Sequence, residues 1–189
     1  MPAYAKGRTD TPLLEQTIGD RLEATASRLP DHEAVVMPHQ NIRWTYRQLD
    51  DAVNRVARGL LARGFEKGDR IGVWAPNLIE WVLMQYATAK VGVIQVNINP
   101  AYRANELAFA LKHSGCKGLV AARRFKTSDY VQMLGMVRDQ CPALSEVIFL
   151  DEEGQAGDWA RLLADGESTA PGAVAERMAT LKPHDPINI

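Results

Sequence analysis

Four short apolar runs, at residues 70–75, 91–98, 117–121 and 147–150, alternate with helical stretches, and this alternation constrains the fold more than any other feature of the chain. Connections about ten residues long or more are too long for hairpins, so they imply parallel pairing through crossover helices. The expected class is therefore α/β with a mostly parallel sheet. Helix signals support it. Thr45 caps a helix over 46–63, with Gln48 three residues on as a capping box requires. Leu49, Val53, Val56, Ala57, Leu60 and Leu61 make its apolar stripe, and Gly64 is its stop. A second helix, over 78–90, opens at Asn77 with Glu80 and is apolar on almost every side through Ile79, Trp81, Val82, Leu83, Met84 and Tyr86. Such a helix is buried on more than one face.

The remaining segments complete the plan. Helices are expected over 18–27, over 104–113 with Gly115 as stop, over 128–139, over 158–164 with Asp158 as cap, and over 173–181. Runs 34–37 and 42–45 flank His39, Gln40 and Asn41 and form a short N-terminal β-hairpin. Residues 165–172 are linker-like, and 187–189 open another strand. We expect an N-terminal extension and helix over 1–30, then one unit over 31–189.

Composition excludes several functions. The formal net charge of −1 creates no field that gathers nucleic acid or an anionic membrane. No window approaches the ~18 uninterrupted apolar residues of a membrane span. Residues 1–14 lack the apolar run of a secretory signal, so cytoplasm is the default compartment. Cys116 and Cys141 are too few for a disulfide framework and are expected as reduced, partly buried thiols.

Catalytic material is scarce. There is neither a G-x-x-x-x-G-K-[ST] loop nor a G-x-G-x-x-G after a strand. Gly154 and Gly157 lie in an acidic loop that would repel phosphate. His32, His39, His113 and His184 are scattered without metal-site spacing. The acids Asp50 with Asp51, Glu66 with Asp69, and Asp151 with Glu152 and Glu153 fall at helix starts or turns, where carboxylates serve local needs. No G-x-S-x-G elbow accompanies a serine. Arg123, Arg124 and Lys126 form a small basic cluster that suits either a phosphate or a solvated surface. Trp44, Trp74 and Trp81 suit the core. The residues alone name no nucleophile and no metal ligand.

One resemblance adds to this. W-T-Y-R-Q-L at 44–49, K-G-D-R-I-G-V-W-A-P-N at 67–77 with Glu80 and Trp81, A-x-x-K-V-G-V-I at 87–94 and N-I-N-P-A-Y-R-A-N-E-L at 97–107 occur in order and at fixed spacing. Together they resemble the amino-terminal region of adenylate-forming acyl-CoA synthetases. R-F-K-T-S-D-Y at 124–130 and H-D-P-I-N-I at 184–189 are similar to the medium-chain fatty-acyl branch. The resemblance implies the first subdomain of that fold, ending before a phosphate-binding loop. It also implies an AMP-forming reaction of a fatty acid with ATP, Mg2+ and coenzyme A. The cofactors and partners would act through parts outside this chain, which is expected to be inactive alone and to self-associate. Asn99, Tyr102 and Arg103, just past a parallel strand, are the expected edge of the coenzyme A and acyl channel, and Asn99 before Pro100 suits a plain turn equally. A stand-alone scaffold or dimerisation module, and an aryl-CoA ligase or luciferase-like relative, remain alternative readings.

Overall fold

Thr45 makes the expected capping box: its hydroxyl accepts from the Gln48 N–H, and the Gln48 side chain accepts from the Thr45 N–H. The computed structural model describes residues 5–8, 10–151 and 157–189. In chain order the elements are α1 (Ile18–Arg28), β1 (Glu33–Met37), β2 (Ile42–Thr45), α2 (Tyr46–Ala62), β3 (Arg70–Trp74), α3 (Ile79–Val91), β4 (Ile94–Asn97) and α4 (Ala104–Ser114). Then follow β5 (Gly118–Ala121), β6 (Arg124–Phe125), β7 (Ser128–Asp129), α5 (Tyr130–Val137), β8 (Glu146–Phe149), α6 (Asp158–Asp165) and α7 (Ala173–Met178).

The central sheet has the order β4-β3-β5-β8, and every pairing in it is parallel. Residues 187–189 lie beside β4, with a parallel bridge between Gln95 and Asn188. Right-handed crossovers force the helices onto two faces, because β3 to β4 runs one way across the sheet and β4 to β5 runs back past β3. Helices α1, α2, α3, α6 and α7 accordingly pack together on one face, and α4 packs with α5 on the other. The core lies between these layers, around Val53, Val56, Leu60, Ile71, Val73, Leu107, Leu119 and Ile148.

Several boundaries differ from the sequence reading. Val91 stays in α3, and Gly92 ends that helix in the left-handed region, so β4 begins only at Ile94. Asn77 does not cap α3. The Gln40 side chain reaches over from the hairpin, accepting from the Ile79 N–H at 2.7 Å and donating to Glu80 at 3.2 Å. A tertiary contact of this kind leaves no local signal. Asp158 is likewise no cap for α6: its carboxylate accepts from the Phe149 N–H, and Asp151 takes the Trp159 and Ala160 N–H groups. The antiparallel pair β6–β7 delays α5 to Tyr130, and α7 stops at Met178. Glu152, Glu153 and Gly154 lie outside the described residues.

Lys90, the only charged side chain buried completely among the described residues, reaches Glu23 at 2.7 Å, Asp50 at 2.8 Å and Asn54 at 2.7 Å. It joins α1, α2 and α3 through one ammonium. A buried charge of this kind is tolerated only when its donors are matched.

Candidate functional site

The crossovers from β3 and β5 leave toward opposite faces, which opens a crevice at the carboxyl ends of these two strands, the usual ligand side of an open α/β sheet. Protein atoms fill its floor. Trp74, the last residue of β3, stacks on Tyr130 with centroids 3.5 Å apart and planes 3° apart. Both rings are wholly buried. The Tyr130 hydroxyl donates to the Pro100 carbonyl beyond β4, and its N–H donates to the Arg123 carbonyl beyond β5 at 2.9 Å. One residue thus ties together the ends of three strands. Burial pushes the Tyr130 hydroxyl up to about 12. The Trp74 indole N–H is buried and has no partner among the described residues.

Asn99, Tyr102 and Arg103 all sit on the loop that carries β4 into α4. Asn99 closes that loop: its side-chain oxygen accepts from the Ala101 N–H at 2.8 Å and its carbonyl from the Tyr102 N–H at 3.0 Å. That is a turn-forming role. The Tyr102 ring is exposed. The Arg103 backbone N–H is held by Glu106 at 3.1 Å, and its guanidinium donates to the Ser128 hydroxyl at 3.0 Å. Arg103 therefore meets the β6–β7 ribbon, where the basic cluster noted in the sequence lies. The Arg123 guanidinium lies over the Phe149 ring and the Lys126 ammonium over Phe125, each at 5.3 Å. Three cations from two stretches of chain, Arg103 before α4 and Arg123 with Lys126 on either side of β6, thus border one edge. The arrangement can hold an anion.

The opposite, amino edge of the sheet differs. Lys117 bonds Asp69 at 2.6 Å, and Arg63 reaches Glu146 at 3.2 Å and Asp165 at 2.9 Å. The Arg70 guanidinium donates to the carbonyls of Ser114, Gly115 and Gly68. Burial works to raise the Asp69 carboxyl, yet the Lys117 ammonium and the Glu66 N–H together hold it below its ordinary 3.8.

Among the described residues no three His, Cys, Asp or Glu side chains gather as metal ligands. His39 contacts the Asn77 carbonyl at 3.0 Å, and His113 stacks on Phe109. Cys116 and Cys141 are free and more fully buried than expected, and burial pushes both thiols up. Sequence reasoning missed Tyr130. Its only local mark is Asp129, which caps α5 by accepting from Gln132.

Comparison with known proteins places this architecture. The AMP-binding enzyme family matches residues 22–189. The chain is 42% identical to the medium-chain acyl-CoA ligase ACSF2, mitochondrial, of Rattus norvegicus, over 99% of this chain and 33% of that protein. It is 32% identical to the putative acyl-CoA synthetase YngI of Bacillus subtilis (strain 168), over 94% of this chain and 35% of that protein. Among solved structures it is similar to the N-terminal domain of FACL13 from Mycobacterium tuberculosis, with 28% identity and a TM-score of 0.75 over 92% of this chain and 41% of that one. The chain spans about a third of the length of the curated relatives it matches.

Proposed function

The chain belongs to the AMP-binding enzyme family, and on that premise we propose that it forms the leading scaffold lobe of an AMP-forming fatty acid–CoA ligase. In that reaction a carboxylate attacks the α-phosphate of ATP to give an acyl-adenylate and pyrophosphate, and the coenzyme A thiol then displaces AMP. The carrying observation is the family match over a parallel sheet whose carboxyl edge gathers Arg103, Arg123 and Lys126. Such an edge suits an anionic portion of coenzyme A, with Tyr102 and the Asn99 turn shaping the rim of its channel. The donor set among the described residues does not fit Mg2+, so no step is assigned to a metal here.

The division at residue 30 and a cytoplasmic compartment are part of the same proposal. No helix among the described residues is long and apolar enough to cross a membrane. The word mitochondrial in the relatives' names marks the fractionation result that would displace the cytoplasm. We further propose that the 189-residue chain is inactive alone and self-associates through apolar surface. AMP formation from octanoate, ATP and coenzyme A tests the first point. No turnover above background is the expected result, and CoA-dependent AMP release would overturn it. Reading the coding sequence past Ile189 for a Thr/Ser/Gly-rich loop with a lysine tests the ligase assignment itself.

A further inference from the structure

Strands covered on both faces of a parallel sheet read as apolar runs. β4 departs from this, since Gln95 is wholly buried and Asn97 follows it on the same face. The Gln95 amide donates to Asn97 at 3.0 Å and to Gln85 of α3 at 3.4 Å, so the polar side of β4 faces that helix. The Gln95 side-chain oxygen is buried with no partner among the described residues. An acceptor left unpaired in the interior destabilises a fold. Stability alone therefore does not explain a glutamine at this position.

The network continues into the strand at 187–189. Gln85 and Asn188 exchange two side-chain hydrogen bonds, at 2.9 and 3.0 Å. Asn188 lies opposite Gln95 in a parallel bridge, so both side chains project to the α3 face. The backbone does not define this pairing by itself. The Gln95 N–H donates to the Ile187 carbonyl, the Ile189 N–H to the Gln95 carbonyl, and the Asn97 N–H to the Ile189 carbonyl. A forward slip of two residues would remake all three bonds with the Asp185 carbonyl, the Ile187 N–H and the Ile187 carbonyl. Isoleucine would again stand beside Asn97, and Pro186 would lie opposite Gln95 with its missing N–H turned away from β4. Upstream, the Lys67–Asp185 pair at 2.6 Å is partly exposed, and such pairs hold weakly. Within the strand, Asn188 is the side chain that separates the two registers, because the slip would leave Gln85 facing a proline.

Register matters here because Ile189 stands beside Asn97, two residues before Asn99 at the carboxyl edge. Two residues of slip move the strand along that direction by about 6.6 Å. We propose that Gln85 and Asn188 are positioning residues: their paired carboxamides, backed by Gln95, fix the register of the 187–189 strand on β4 and so set the geometry of the carboxyl edge. The catalytic consequence rests on the ligase reading, which puts the ligand at that edge. Registry is the best-attested use of polar groups buried in a core.

Steady-state AMP formation from octanoate, ATP and coenzyme A by the full-length protein tests this, together with amide hydrogen exchange at residues 93–99 and 187–189. Asn188→Ala and Gln85→Ala each break the pair. Each is expected to lower kcat on the order of tenfold or more, and to speed exchange at Asn97 and Ile189 while β3 and β5 stay protected. The swap Gln85→Asn with Asn188→Gln keeps the combined reach of the two side chains and is expected to recover most of both losses. Circular dichroism melts show that each variant is folded. A lower melting midpoint with kcat unchanged would make the pair merely stabilising and overturn the proposal. Single variants that exchange like the parent, or a swap that recovers nothing, would overturn it too. A parent protein without CoA-dependent AMP release overturns the ligase reading and the catalytic consequence alone, and the exchange rates still decide the register.

Discussion

At the amino edge of the sheet Arg63 and Lys117 meet carboxylates and Arg70 meets three carbonyls, whereas at the carboxyl edge Arg103 meets a hydroxyl and Arg123 and Lys126 lie over aromatic rings. The amino edge uses its charges to close turns between strands and helices. At the carboxyl edge an aromatic stack and one hydroxyl hold the strand ends, and the proposal is that the cations bordering them face a ligand. The difference separates what the fold requires from what a reaction requires, and it can be broken by substitution at either edge.

The largest effect is expected at the stack. Tyr130→Ala removes a buried ring, its face-to-face contact with Trp74 and the link to Pro100. Large-to-small changes of a buried aromatic cost roughly 3–5 kcal/mol. Urea unfolding measures this, and a loss well below that range would show that the carboxyl edge is held by something else. Tyr130→Phe separates the hydroxyl from the ring. The Tyr130 hydroxyl is raised in the fold, so its contribution is present below the ordinary 10.0 and is lost as pH rises toward about 12. The Phe variant should lack that part of the alkaline loss.

The two edges were unequally legible in the sequence. The capping box at Thr45, the stops at Gly64 and Gly115, and the parallel pairing of the strands all follow from short-range signals and connection length. The elements misjudged are those settled by distant partners: Gln40 capping α3, Asp151 capping α6, and Tyr130 joining Pro100 to Arg123. A residue's spacing reports its helix or strand, but not which side chain arrives from another element. The candidate site suffered most, since Arg103 and the 123–126 cluster meet only through the β6–β7 ribbon. That ribbon is two short strands and carries no periodicity.

An intermediate effect is expected at Asp69. Its carboxyl is lowered in the fold, so its stabilisation is present above the ordinary 3.8 and is lost as pH falls through the lower folded value. Asp69→Asn removes the charge that holds Lys117 while keeping an acceptor for the Glu66 N–H. A loss of about 1 kcal/mol at neutral pH is expected for this partly exposed pair. Thermal melts below pH 4 should show a shallower acid limb in the variant. An unchanged limb would mean that other carboxylates dominate acid unfolding.

The smallest effect on stability is the most informative about function. Arg103→Ala removes a guanidinium bound to one hydroxyl on an exposed loop, while the backbone bond to Glu106 that starts α4 stays in place. Surface changes of this kind usually fall within about 0.5 kcal/mol. A melting midpoint close to that of the parent chain would leave Arg103 without a structural reason to be there and would favour the proposal that it faces coenzyme A. A loss as large as that expected for Asp69→Asn would instead put Arg103 with the cations of the amino edge, as a tie between the β4–α4 loop and the β6–β7 ribbon. The contrast between the two ends of the sheet would then fail at the residue it most depends on.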